Sequence, residues 1–212
     1  MIKKIIKKFI PQFILNWYYQ FFPLLGAIWY RFPSRKITVI GITGTNGKST
    51  TVQLMTDILK QTNISVASMS SVRFQIKDEV RKNKLKMTMP GRLKLQKFLR
   101  QAVNSGCQYA ILEVTSEGIK QFRHKFINFN TAIFTNLEKE HIESHGSFEN
   151  YKQAKKKLFQ VPSIKISIIN LDDSHADYFL DSFIEEKWGY RIKCKTKNEK
   201  CKKYKQEIKI VE

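Results

Sequence analysis

The segment Ile40-Gly41-Ile42-Thr43-Gly44-Thr45-Asn46-Gly47-Lys48-Ser49-Thr50-Thr51 constrains this chain more than any other. A β-branched run, Lys36-Ile37-Thr38-Val39-Ile40, leads into it and reads as a buried strand. Val52-Gln53-Leu54-Met55-Thr56-Asp57-Ile58-Leu59 follows at helical spacing. Strand, glycine loop and helix in that order make a phosphate-binding loop. Glycines let backbone N–H groups converge on a phosphate, and the helix N-terminus adds the positive end of its dipole. Gly44, Thr45, Asn46, Gly47, Lys48, Ser49 and Thr50 are the expected contacts to ATP. Lys48 is placed to neutralise the β- and γ-phosphates, and Ser49 or Thr50 to hold Mg²⁺. Ile42 stands where the general pattern has its first glycine.

The remainder alternates strands and helices. Strand patterns occupy residues 64–69, 109–114, 131–135 and 165–170, and helical spacing covers residues 93–103 and about 148–160. Residues 72–87 are charged and read as a loop or hairpin. The expected fold is α/β, a mainly parallel sheet with helices on both faces. In such a sheet ligands sit at the carboxyl ends of the strands. The glycine loop, Glu113 and His141 all fall at such ends, so they can converge on one edge. A carboxylate beside a triphosphate suits Mg²⁺, which prefers hard oxygens, phosphate and water.

Lys155 is oddly placed. Phe148, Tyr151, Leu158 and Phe159 form the apolar stripe of the helix over 148–160, and Lys155 lies on that stripe. A bare ammonium on a buried face is unfavourable, so the site either neutralises it or uses it; a lysine that snorkels out is the plain alternative.

Lys and Arg number 38 against 18 Asp and Glu, a formal charge of +20. The lysines are dispersed, and no nucleic-acid motif or aromatic–basic stacking pattern accompanies them, so nucleic acid is not the expected partner. Cys107, Cys194 and Cys201 are odd in number and widely spaced. That argues against a disulfide framework or zinc site and suits a reducing cytoplasm. Residues 1–34 hold no acidic residue, and Lys3, Lys4, Lys7 and Lys8 precede an aromatic-rich stretch. Its Asn16, Gln20 and Pro23 argue against a span or signal peptide. Two readings stay open for it: a segment lying on the anionic inner face of the membrane, or simple packing against the domain.

The loop variant Thr43-Gly44-Thr45-Asn46-Gly47-Lys48-Ser49-Thr50 resembles the Mur ligases, ATP-dependent amide-bond-forming enzymes of peptidoglycan precursor synthesis. Further segments resemble the family in the same order: Thr88-Met89-Pro90, Glu113-Val114-Thr115-Ser116, Thr135 to Gly146, Tyr151 to Phe159, and Asn170 to Asp173. Together they span about residues 36–175 and look most similar to the UDP-N-acetylmuramoyl-tripeptide synthetases. The resemblance implies a P-loop central domain over 35–212, incomplete and without the family's C-terminal domain. It implies Mg²⁺ ligation by Glu113 and His141, with His145 a nearby competitor, and carbamylation of Lys155 so that it helps hold a second Mg²⁺. It implies Thr88, Thr115 and Ser116 as contacts to a UDP-MurNAc-peptide, whose carboxylate is activated as an acyl phosphate and then attacked by the amine of an amino acid. Glu117 stands where that branch has histidine. Asn136 and Asn170 are further polar candidates near the site. The competing expectations are a nucleotide-binding module or pseudoenzyme at the membrane, and a folylpolyglutamate synthetase-like ligase.

Overall fold

A computed structural model describes residues 12–85, 87–140, 142–191 and 209–211. Its frame is one sheet of nine strands in the order β4-β3-β2-β5-β1-β6-β7-β8-β9. The strands are β1 (Thr38–Thr43), β2 (Val66–Met69), β3 (Arg73–Ile76), β4 (Glu79–Lys82), β5 (Tyr109–Glu113), β6 (Phe129–Phe134), β7 (Ile166–Asn170), β8 (Glu186–Tyr190) and β9 (Lys209–Val211). The charged stretch 72–87 supplies the antiparallel hairpin β3–β4. β2 meets β3 antiparallel, and the other pairings are parallel.

β1 lies in the middle, between β5 and β6. Its pleat sends alternate side chains into two cores. Val39 packs with Ala110, Leu112, Ala132 and Phe134 on one face, and Ile40 and Ile42 pack with Val52, Ile111 and Ile133 on the other. Helix α2 (Lys48–Gln61) covers the second face through Val52, Met55 and Leu59. Helices α3 (Arg92–Asn104) and α6 (Phe148–Phe159) cover the first. Three short helices complete this part of the chain: α4 (Ser116–Lys120), α5 (Ile142–His145) and α7 (Ala176–Leu180). All three were missed in the sequence pattern, because they are too brief to repeat an apolar period.

The N-terminal helix α1 (Gln12–Trp29) packs against α3. Pro23, Gly26 and Ala27, at helical spacing, are buried. The absent side chain of Gly26 admits Leu93, whose nearest atom would lie 3.3 Å from a Cβ there. Arg100 closes the helix end, donating to the carbonyls of Tyr30 (2.6 and 2.9 Å) and Arg31 (3.0 Å). The packing alternative for this segment therefore holds on one face. Leu25, Ile28 and Trp29 are exposed on another, Trp29 by 80%. Among the described residues, no helix is long and apolar enough to cross a membrane.

Candidate active site

The strand order brings the glycine loop, the end of β5 and the turn after β6 to one edge. Ile42 pairs with Glu113, and Thr43 with Phe134, so Glu113 and Asn136 flank the loop that leaves β1. Two glycines permit that loop. A Cβ on Gly44 would lie 1.9 Å from Thr135 Oγ1, so only glycine lets the two turns meet. Gly47 caps α2 at φ 77°, a left-handed conformation glycine adopts at little cost.

The loop is tied down from outside. Asn136 Oδ1 accepts from the N–H groups of Thr45 (3.2 Å) and Asn46 (2.8 Å), and its Nδ2 donates to Asn46 O (3.2 Å). The Thr45 hydroxyl meets Tyr151 Oη at 3.1 Å and accepts from Glu138 N at 2.9 Å. Asn170 and Asp173 hold the turn after β6, through Thr135 O (2.8 Å) and Leu137 N (2.7 Å).

Two lysines converge on successive loop carbonyls. Lys48 Nζ donates to Thr45 O at 2.6 Å, and Lys155 Nζ to Gly44 O at 2.5 Å. Lys155 comes from α6, where Tyr151, Ala154, Leu158 and Phe159 share its buried stripe. It is 2% exposed, and its ammonium sits 4.4 Å from the centre of the Tyr151 ring. Snorkelling is therefore excluded for this lysine. Lys152 and Lys156 instead lie over Tyr178 at 4.4 and 4.2 Å and pair with Glu149 and Asp181. Burial, reinforced by the nearby charge of Lys48 and partly offset by Glu140 and Glu113, pulls Lys155 from 10.5 down to about 7. Burial also lowers Lys48, with Glu113 and Glu140 opposing.

Glu113 is buried and doubly satisfied. Its Oε2 accepts from Ser49 Oγ at 2.6 Å and Ser71 N at 2.9 Å, and Ser71 Oγ lies 2.7 Å from Ser49 Oγ. A carboxylate and a hydroxyl beside Lys48 are hard-oxygen donors of the kind Mg²⁺ prefers. No group of three or more His, Cys, Asp or Glu able to hold a metal occurs among the described residues. The donor set thus fits Mg²⁺ that takes its remaining ligands from phosphate and water, rather than a protein-only cage.

A cavity of about 460 Å³ opens beside the loop. Thr88, Thr115 and Ser116 line it together with Lys48, Tyr151 and Lys155. Thr115 Oγ1 also caps α4, accepting from Gly118 N at 3.0 Å. Ser116 Oγ lies 3.1 Å from Nε2 of the buried His145, whose ring centre is 5.3 Å from that of Tyr151. His141 lies outside the described residues. Sequence reasoning overlooked Ser71, Glu138, Glu140 and the hydroxyl of Tyr151. Ser71 follows β2 at its carboxyl end, so the rule that singled out Glu113 also reaches it.

A mainly parallel sheet whose central strand feeds a glycine loop, a lysine and a hydroxyl-bearing helix N-terminus defines a P-loop α/β domain. The family model for the Mur ligase middle domain matches residues 42–212, and the chain belongs to that family. It is 34% identical over 169 residues to UDP-N-acetylmuramoyl-L-alanyl-D-glutamate--2,6-diaminopimelate ligase 2 of Clostridium acetobutylicum, covering 79% of this chain and 35% of that protein. It is 36% identical over 169 residues to the corresponding ligase of Caldanaerobacter subterraneus, covering 80% and 34%. A solved 2,6-diaminopimelate ligase superposes with a TM-score of 0.68 at 30% identity, over 76% of this chain and 33% of that one. The chain thus spans about a third of the length of the curated relatives it matches.

Proposed function

We propose that this chain is the ATP-binding part of a ligase that joins an amino acid to a UDP-MurNAc-peptide. The observation that carries this is the convergence of Lys48, Ser49, Glu113 and Lys155 on one edge of the sheet, beside a cavity lined by Thr88, Thr115 and Ser116. The curated relatives bear the names of such ligases, which supports this reading over a folate ligase.

The triphosphate lies along residues 44–50, on loop N–H groups and the amino end of α2, whose first turn holds no acidic residue. Lys48 neutralises the β- and γ-phosphates. Ser49 and Glu113 would hold Mg²⁺, which would supply charge neutralisation on the phosphate oxygens. A substrate carboxylate, steadied by Thr88, Thr115 and Ser116, attacks the γ-phosphorus and releases ADP. The amine of the amino acid then attacks the acyl carbon, and phosphate leaves. Positioning and charge neutralisation account for most of the rate.

Lys155 has a modification to make. Near neutral pH a large share of its amine is uncharged, because burial and Lys48 disfavour the ammonium. An uncharged amine attacks CO₂ to give a carbamate and one proton. The product carries a negative charge beside Lys48, which replaces a repulsion by an attraction, and adds an oxygen donor for a second Mg²⁺. ¹³C-bicarbonate tests this step: a carbamate resonance is expected in the native chain and not in Lys155→Ala, and its absence from both refutes it.

The test of the activity uses hydroxylamine, which converts an acyl phosphate into a hydroxamate. Hydroxamate that depends on ATP, Mg²⁺ and UDP-MurNAc-dipeptide is expected. ADP release that ignores the peptide, with no hydroxamate, would instead favour a nucleotide module without ligase chemistry.

A second observation bears on location. Leu25, Ile28 and Trp29 form an exposed stripe on α1, 39%, 54% and 80% exposed, downstream of Lys3, Lys4, Lys7 and Lys8. An apolar stripe in a segment whose sequence also carries four lysines and no acid suits the inner, anionic surface of a membrane, on which the domain is held peripherally.

A further inference from the structure

A second cavity lies away from the glycine loop. It measures about 740 Å³ and lies at the opposite edge of the sheet, among the segments that precede β1, β6 and β7. Those three strands are neighbours, so their amino ends frame one opening. Nothing in the reading above uses it.

Its lining combines rings with positive charge. Phe32, Phe122 and Phe126 line it with Arg35, Lys125 and Lys157, and no aspartate or glutamate does. None of the ion pairs between described residues includes these three cations. The Arg35 guanidinium lies 4.6 Å from the centre of the Phe32 ring.

The rings are held at a conformational cost. Phe32, Phe122 and Phe126 have φ of 48°, 56° and 59°. Phe32 and Phe122 end helices: Phe32 N donates to Ala27 O at 2.7 Å, and Arg123 N to Gly118 O at 2.9 Å. Glycine is the usual residue at such left-handed ends, and any other side chain there costs roughly 1–2 kcal/mol. What phenylalanine adds over glycine at these positions is a ring on the cavity wall.

A buried titratable group borders the same space. His124 is 6% exposed and lines the cavity; its Nδ1 is itself sealed from solvent and has no hydrogen-bond partner among the described residues. Burial, with Lys125 and Lys157 adding repulsion, drives its imidazole down to about 4, so it stays neutral at pH 7.

We propose that this cavity is a second ligand site, for a small aromatic phosphate monoester of the nucleoside monophosphate class. The three phenylalanines take the planar ring, and Arg35, Lys125 and Lys157 take the phosphate dianion, with the His124 ring in the wall beside it. The volume suits a ligand of that size. A fork-shaped guanidinium and two ammonium groups suit a phosphate better than a singly charged carboxylate. The site is independent of the reading given for the glycine loop.

AMP is the probe, with adenosine and inorganic phosphate as its two halves. Titrations are run on the full chain with Mg²⁺ and a non-hydrolysable ATP analogue in excess, so that the loop edge is occupied. AMP is expected to bind at least tenfold more tightly than either half and to shift the ring-nitrogen resonances of His124. The double variant Arg35→Ala/Lys157→Ala removes only exposed side chains, so its melting temperature should match the native one while its AMP affinity falls at least tenfold. Unmoved His124 resonances, equal AMP affinity in the double variant, or inorganic phosphate binding as well as AMP would each overturn the proposal. Failure of ATP binding at the loop would leave the His124 readout unchanged, so the two readings fail separately.

Discussion

Replacing Lys155 by methionine keeps most of the side-chain volume and removes the buried ammonium. In the native chain the amine is pulled from 10.5 to about 7, chiefly by burial. A depressed lysine pKa means that the unfolded chain binds the proton more tightly than the folded one. Below about pH 7 the lysine is charged in both states and the full penalty of burying charge is present. Above it the folded state sheds the proton, and the penalty is relieved until the unfolded lysine also titrates. Between about pH 7 and pH 9 the native chain should therefore gain about 2 kcal/mol relative to Lys155→Met. Other titrating groups are common to both proteins and cancel. Urea unfolding of the two, in CO₂-free buffer, measures the difference directly. The methionine variant should be the more stable near neutrality, and its advantage should shrink as pH rises. Adding Lys48→Ala should move the window upward, because that charge contributes to the depression. A stability difference that is flat across this range would refute the argument that Lys155 is held as a partly neutral amine.

Asn136→Ala removes three hydrogen bonds to the glycine loop and should lower stability by about 1–3 kcal/mol, read as a lower melting temperature, and weaken nucleotide binding further. Gly44→Ala places a methyl 1.9 Å from Thr135 Oγ1, so the loop and the turn after β6 must separate. A loss of about 1–3 kcal/mol is expected on chemical denaturation. Glu113→Gln removes the carboxylate that accepts from Ser49 and Ser71, and should raise the Mg²⁺ concentration needed for nucleotide binding while leaving metal-free binding nearly unchanged. Trp29→Ser should reduce sedimentation with anionic vesicles and leave it salt-sensitive, whereas undiminished sedimentation would remove the membrane reading of α1.

The loop and its strand were legible because glycine spacing, a β-branched run and helical spacing all agree over residues 36–59. Lys155 was legible for a related reason, since a charge on an apolar stripe contradicts its surroundings. The strand now ends at Thr43 rather than Ile40, because Gly41 fits against the Phe129 ring and continues the ladder. What escaped was contact between segments far apart in the chain. Nothing near Tyr151 announces that its hydroxyl meets Thr45, 106 residues away, or that Ser71 reaches Glu113. Such pairs are set by strand order, and β2-β5-β1-β6 cannot be read from periodicity. His124 was silent for the opposite reason, since a lone histidine in a turn has no pattern to violate.

The central claim is that residues 44–50 bind the triphosphate of ATP with Lys48 as its counter-charge. Isothermal titration of Mg·ATP into the native chain and into Lys48→Ala tests it most directly. One site is expected in the native chain, with affinity at least a hundredfold weaker in the variant and unchanged melting behaviour. Equal affinity in both proteins would contradict the account.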